Sequence, residues 1–92
     1  MSMNREAKIA YTRHARRRMK LYGITQQHVE EVIGNQEYER DTEGDRFVVY
    51  SSPMLAFKGM PLKIIYLLKD DKLIVVSAYP LKGSYWRREE EV

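Results

Sequence analysis

The spacing of apolar residues changes in the middle of this chain, and that change restricts the fold more than any other feature. Up to Ile33 the apolar side chains recur every three to four residues, which is typical of the buried stripe of a helix. From Arg46 onward the spacing is close to two, which favours strands. Helices followed by hairpin-connected strands predict an α+β domain with both helices on one face of a sheet.

Two helices are predicted in the first third of the chain. Thr12 can cap the first helix, over Arg13–Tyr22, because its hydroxyl can accept a free backbone N–H. Gly23 supplies the left-handed position that ends it. Thr25 then caps a second helix over Gln26–Ile33, in which a histidine is expected on the surface.

The second half predicts a mostly antiparallel sheet of three to four strands. Its apolar runs are Arg46–Ser52, Leu62–Lys69 and Leu73–Tyr79, and the last two should form a hairpin through a tight polar turn. Glu37–Asp41 could add a short edge strand, and Ile9–Tyr11 another in the lead-in.

The last strand has two faces of different character. Ile74, Val76 and Ala78 are all apolar and are expected to meet the helices, which leaves Val75 and Tyr79 on the opposite face. Tyr79 should therefore lie on the face away from the helices, at the end of the strand.

The chain has 92 residues, which is enough for a single domain. We expect residues 9–80 to form the core, residues 1–8 to be flexible, and residues 81–92 to be a basic and aromatic tail with an acidic end. No apolar run approaches the roughly 20 residues that span a bilayer, and no apolar leader is visible. A cytoplasmic protein without membrane contact is the expectation.

Charge is distributed unevenly along the chain. Residues 1–20 carry seven basic side chains against one acid, and residues 58–88 carry seven against two. The segment between them, residues 21–57, carries seven acids against two arginines. If the basic segments converge in the fold, they form a surface that attracts phosphate.

The first helix separates its cations into two groups. Four of them should form a solvated face, whereas His14 and Arg18 fall inside the apolar arc, one turn apart. One interpretation is structural: Arg18 is paired across to the sheet and His14 is hydrogen-bonded to backbone. The other is functional: a cation and a titratable imidazole lie at the edge of a cleft and serve phosphate binding and proton transfer.

Two further segments suggest contacts with partners. Tyr85 and Arg87 belong to a stretch of aromatics and cations that suits RNA, by stacking and phosphate contact, or that packs on the sheet instead. The connection between Pro53 and Pro61 is unusually apolar for a loop. Leu55 and Phe57 in it either contact another chain or cap a thin core.

Several classes of site are disfavoured by composition and motifs. With two histidines and no cysteine, a dedicated transition-metal site is not expected. The chain has no glycine-rich phosphate loop and no Gly-x-Ser-x-Gly nucleophile motif. No cofactor and no metal is therefore expected.

Four segments together resemble a known family. His14–Met19, Gly23–Thr25, Leu62–Tyr66 and Ile74–Pro80 are similar, in this order, to the domain-of-unknown-function family 4258. That family is similar in outline to RelE/ParE-type and BrnT-type toxins. The resemblance implies a RelE-like sheet with helices on one side, metal-independent RNA cleavage, often on the ribosome, and neutralisation by an antitoxin.

The implied reaction is attack of a ribose 2′-hydroxyl on the adjacent phosphate. It needs a base, an acid and cations for the charge that develops on phosphorus oxygens. His14 is the candidate acid or base, and Tyr79 a second proton donor. Arg18 and Lys82 are the candidate charge stabilisers.

The remaining candidates concern binding. Arg46, Tyr85 and Arg87 are expected to contact RNA. The alternative function is a non-catalytic module that binds nucleic acid or protein. RNA, an antitoxin protein and a second copy of the chain are the partners left open by the sequence.

Overall fold

The computed structural model describes residues 8–81. Within these residues the chain forms a five-stranded sheet and two α-helices. In chain order the elements are β1 (Lys8–Tyr11), α1 (Arg13–Tyr22), α2 (Gln26–Gly34), β2 (Glu39–Glu43), β3 (Arg46–Tyr50), β4 (Leu62–Lys69) and β5 (Lys72–Pro80).

Both helices are capped by the threonines that the sequence indicates. The Thr12 hydroxyl accepts the backbone N–H of Ala15 at 3.0 Å, and α1 ends at Gly23 with a left-handed φ of 72°. At α2, Thr25 and His28 form a reciprocal capping box in which His28 Nδ1 accepts the Thr25 backbone N–H at 3.0 Å. The surface histidine of the sequence prediction is therefore half-buried and part of a cap.

The sheet has the order β1-β5-β4-β3-β2. β1 pairs with β5 in parallel, and the other three pairs are antiparallel. The prediction of three to four strands is therefore wrong: the sheet has five strands, and one of its four pairs is parallel. The two edge segments, β1 and β2, pair because each lies beside a strand that also pairs on its other side and supplies the backbone partners that a short strand needs.

The predicted faces of β5 are correct for Ala78 and Tyr79 but wrong for Val75 and Val76. β5 contains a bulge: Ile65 of β4 pairs with Ser77, the next residue Tyr66 pairs with Val75, and Val76 is the extra residue between them. An extra residue in one strand reverses which side the following side chains face. Val75 therefore lies in the core on the helix side, whereas Val76 lines a groove elsewhere.

The hydrophobic core lies between the two helices and one sheet face. Burying these side chains is the main force that holds the helices to the sheet. The buried members of this core are Ala15, Met19, Ile24, Val29, Val32, Val49, Phe57, Leu62, Ile64, Tyr66, Val75 and Ala78. Each of the two helices within residues 8–81 is too short and too polar to span a lipid bilayer.

Arg40 joins the end of α2 to the sheet. Its guanidinium donates to the carbonyl oxygens of Ile33 and Asn35, which the helix leaves without intrahelical partners. It also donates to the Tyr66 hydroxyl at 3.1 Å. One cation therefore satisfies the helix C-terminus and a core tyrosine.

The apolar loop after β3 folds into a short 3-10 turn at Leu55–Phe57. A bridge between Met54 and Met60 closes it. Phe57 is buried, and its ring meets His28 edge-to-face at a centroid distance of 5.0 Å. Leu55 points the other way and is 95% exposed. Leu55 and Phe57, which were predicted to share one role, therefore lie in different environments.

Candidate functional site

The site is built along a stretch of β5 that β1 does not cover. β1 ends opposite Val75, so that within residues 8–81 the following part of β5 has β4 on one side and no strand on the side of β1. Thr12 connects β1 to α1 and is bound to β5. Its backbone N–H donates to the Val75 carbonyl at 3.1 Å, and its hydroxyl donates to the Val76 carbonyl at 3.2 Å. α1 begins at the next residue and therefore runs beside the uncovered part of β5.

A groove of about 580 Å³ lies between α1 and the sheet. One wall carries His14, Arg18 and Tyr22, which recur every four residues and so share one side of α1. The other wall comes from three strands and from Leu81: Arg46, Ile65, Val76, Ser77, Tyr79, Pro80 and Leu81. Its charged side chains are all basic, since no Asp or Glu of the described residues lines it. The groove is therefore suited to an anion.

Arg18 and Tyr79 meet inside this groove. The Arg18 guanidinium carbon lies 5.1 Å from the Tyr79 ring centroid, within the range of a cation–π contact. Both side chains are half-buried, whereas His14, one turn before Arg18, is exposed. The contact holds the cation over the Tyr79 ring, and the exposed His14 lines the same groove.

A row of three side chains crosses the sheet next to the groove. Tyr50, Lys63 and Tyr79 are direct cross-strand neighbours on β3, β4 and β5, so they project from the same sheet face. The Lys63 ammonium lies 5.7 Å from the Tyr50 ring centroid and 5.9 Å from that of Tyr79. This face, which is turned away from the helices, is called the open face below.

The electrostatics of the row favour a charged Lys63 beside a neutral Tyr50. Burial lowers the pKa of Lys63, but Tyr79, Tyr50 and Glu43 outweigh it and raise that pKa above its ordinary value. Burial raises the pKa of Tyr50, Lys63 lowers it by less, and Asp41 and Glu43 raise it further. Near neutral pH the row therefore presents the positive charge of Lys63 and a Tyr50 hydroxyl that can donate a hydrogen bond.

Acidic residues bound the open face on its other side. Glu39, Asp41 and Glu43 of β2 are exposed and lie opposite Tyr50, Val48 and Arg46, respectively, in the register of β3. Across the open face the charge therefore changes from negative at β2 to positive at α1. A polyanion is attracted to the α1 side and repelled from β2.

A second cavity, of about 510 Å³, adjoins the row on the acidic side. Tyr50 and Lys63 line it together with Tyr38. Its acidic lining comes from Glu37, Glu39 and Asp41, and its remaining lining is Ser51, Ser52, Pro53, Pro61 and Leu81. Lys63 is therefore near both the basic groove and this acidic cavity.

Four of the candidate residues from the sequence line the basic groove. His14, Arg18 and Tyr79 are among them, and Arg46 is exposed at the rim. Their roles in catalysis and RNA contact stay predictions. Lys82, Tyr85 and Arg87 lie outside the described residues.

Lys63 and Tyr50 are residues that the sequence interpretation missed as parts of the site. A signal was present: Lys63 is half-buried inside an apolar strand, unlike the exposed Lys69 at its end, and a charge there is unusual without a partner. Their neighbours across the sheet could not be known without the pairing register, and the bulge in β5 decides that Lys63 pairs with Tyr79.

Within residues 8–81, no three His, Asp or Glu side chains come together in a way that could hold a metal ion. The family model of a domain of unknown function, DUF4258, matches residues 11–80 of the chain. No curated protein and no solved structure matches the chain significantly.

Proposed function

Given that the chain belongs to the DUF4258 family of domains of unknown function, we propose that it binds and cleaves RNA without a metal ion, as a RelE-like toxin domain of a toxin–antitoxin system. The observation that carries the proposal is the Arg18–Tyr79 contact beside His14, in a groove whose charged lining is basic. A phosphodiester fits such a groove because charge-assisted hydrogen bonds to phosphate are strong.

The proposed reaction uses the 2′-hydroxyl of the ribose as nucleophile. His14 removes the hydroxyl proton, and its exposed position at the rim leaves it accessible to a bound ribose. As the hydroxyl oxygen bonds to phosphorus, negative charge grows on the phosphate oxygens, and Arg18 stabilises it. The bond to the leaving 5′-oxygen then breaks, and that oxygen takes a proton from Tyr79. The products are a 2′,3′-cyclic phosphate and a free 5′-hydroxyl.

One feature favours a second candidate function. Catalytic bases are usually oriented by a further group, whereas His14 is exposed. A non-catalytic nucleic-acid-binding module would use the same cations and would need no oriented imidazole.

A cleavage assay on the full chain separates the two functions. RNA is incubated with the protein in EDTA, and the products are examined for 2′,3′-cyclic phosphate ends. Replacing the ribose at the cut position by deoxyribose should abolish cleavage, because the nucleophile is then missing. His14→Ala should lower the rate about 100-fold, in the range of general acid–base catalysis.

Binding supplies the control for that assay. Each phosphate contact should steepen the salt dependence by about 0.7 log units of affinity per log unit of salt for a single strand. RNA that is bound in a salt-dependent way but left intact would point to the non-catalytic module. RNA that is neither bound nor cut would refute both functions.

An antitoxin or a second copy of the chain is the proposed protein partner. Leu55 is 95% exposed at the start of the 3-10 turn, and removing its side chain from water in a contact with another chain would favour association. Phe57 is buried in the core of its own chain and serves the proposed interface only by supporting the turn.

A further inference from the structure

The row Tyr50–Lys63–Tyr79 connects two cavities of opposite charge. Tyr79 belongs to the basic groove, Tyr50 to the acidic cavity, and Lys63 lies within 6 Å of both ring centroids. A polyanion alone would not enter a cavity that carboxylates line. A nucleotide has two parts, however: a phosphate that seeks cations, and a base whose ring stacks on aromatics and whose N–H groups donate hydrogen bonds.

We infer that the acidic cavity is a nucleobase subsite, which takes an unpaired base that carries an exocyclic amino group, while Lys63 binds the adjoining phosphate. The inference rests on the proposed RNA-binding function of the neighbouring groove. Tyr50 supplies the stacking surface, as aromatic side chains do in single-strand binding sites. Glu39 and Asp41 accept hydrogen bonds from the amino group, as carboxylates do from the N4 amino group of cytosine.

Geometry supports this division of roles. Glu39 is the direct cross-strand neighbour of Tyr50, and Asp41 projects from the same face two residues further along β2. A base stacked on Tyr50 would therefore have its edge near these carboxylates. The ammonium of Lys63 lies on the groove side of Tyr50, where the backbone that joins this base to the Arg18 site must pass.

Cytosine and uracil provide a matched pair of ligands. They have the same ring size, but cytosine carries an amino group where uracil carries a carbonyl, which a carboxylate would repel. We expect the full chain to bind a fluorescent 2′-O-methyl oligocytidine of roughly 12 nucleotides at least fivefold more tightly than the matching oligouridine. The 2′-O-methyl group blocks cleavage, so only binding is measured.

Three sets of variants test the roles separately. Glu39→Gln with Asp41→Asn should reduce the preference for cytosine while leaving oligouridine binding equal or tighter. Tyr50→Leu should weaken both ligands about fivefold or more, whereas Tyr50→Phe keeps the ring and the affinity. Lys63→Gln should lower the salt slope by about 0.7, with Lys63→Arg restoring it.

Lys69→Gln is the matched control, since Lys69 is an exposed lysine at the hairpin end of β4. Lys69→Gln should leave both the preference for oligocytidine and the salt dependence of the affinity nearly unchanged. Equal affinity for the two oligonucleotides, or a preference that survives the double acidic variant, would overturn the base subsite while the basic groove stays an RNA site. Loss of all oligonucleotide binding by the unaltered protein would overturn both.

Discussion

The guanidinium carbon of Arg18 lies 5.1 Å from the ring centroid of Tyr79, although the two belong to the first helix and the last strand. The contact depends on β1 being short. Because β1 stops opposite Val75, α1 can lie beside the rest of β5, and one side of the helix reaches the groove that Tyr79 lines. Arg18 is therefore half-buried without an acidic partner among the side chains that line this groove.

Arg18→Gln should lower RNA cleavage about 100-fold, because it removes a charge that stabilises the transition state. The loss in folding stability should be small, about 1 kcal/mol, since a cation–π contact of this kind contributes little. Cleavage rates and thermal melting should be measured together. Arg17→Gln, on the exposed side of the same helix, is the control, and an equal rate loss there would remove Arg18 from the reaction.

Glu43→Gln should strengthen RNA binding. Glu43 lies opposite Arg46 on the open face and interacts with the Lys63 charge, so its carboxylate repels phosphate near the groove. We expect a severalfold gain in affinity at low salt that disappears at high salt because of screening. Glu31→Gln on α2 has the same charge change away from the open face. If RNA affinity rose equally in the two variants, the gain would come from the net charge of the protein and not from the position of Glu43.

Tyr11→Phe should leave the protein as stable or up to about 1 kcal/mol more stable at neutral pH. The Tyr11 hydroxyl is buried and has no hydrogen-bond partner among residues 8–81, so its removal relieves a desolvation cost. Urea denaturation measures the free energy of unfolding for both proteins. A loss above 1 kcal/mol would show that the hydroxyl makes a stabilising contact.

The same tyrosine should make stability fall at alkaline pH. Burial raises the pKa of Tyr11, Glu30 raises it further, and Arg16 partly lowers it. A raised pKa in the folded state means that the contribution is full below the ordinary pKa of about 10 and is lost as pH rises through the folded value. The decline in unfolding free energy above pH of about 10 should be smaller in Tyr11→Phe. An identical decline in both proteins would assign it to other groups.

Leu55 and Phe57 should respond differently to truncation. Phe57→Ala should destabilise the fold by about 3 to 5 kcal/mol, because it empties a buried core position. Leu55→Ser should leave the melting temperature unchanged and, if the turn is an interface, abolish association seen by light scattering. Leu68→Ser, which alters another exposed leucine, is the control for general solubility effects. A lowered melting temperature for Leu55→Ser would show that Leu55 itself stabilises the fold.

Local sequence was sufficient for the helices and the hairpin. Thr12 and Thr25 accept backbone N–H groups from residues three positions ahead, and Gly23 takes a conformation that other residues rarely adopt. The turn at Asp70 and Asp71 has positive φ at both residues, as a tight hairpin demands. These features depend on neighbours in the chain, so the sequence displays them directly.

The two sheet edges were harder to predict. β1 and β2 are short, and β2 is exposed and polar along its whole length, so neither shows a strong apolar alternation. Each is a strand because the neighbouring strand of the sheet supplies hydrogen-bond partners. In the pairing of β1 with β5, the partners are far apart in the chain, so the residues of a short strand do not by themselves indicate that it pairs.

By itself the sequence determined that His14 and Arg18 share one side of a helix, and that the last two strands form a hairpin. Only the tertiary structure decided which side chains meet there. The bulge in β5 sets which residues face the helices, and the early end of β1 brings Arg18 to Tyr79. Sheet register aligns Lys63 with two tyrosines. Register and strand ends arise from long-range packing and hydrogen bonding, and a change of one residue in either would move these side chains to another face or out of reach.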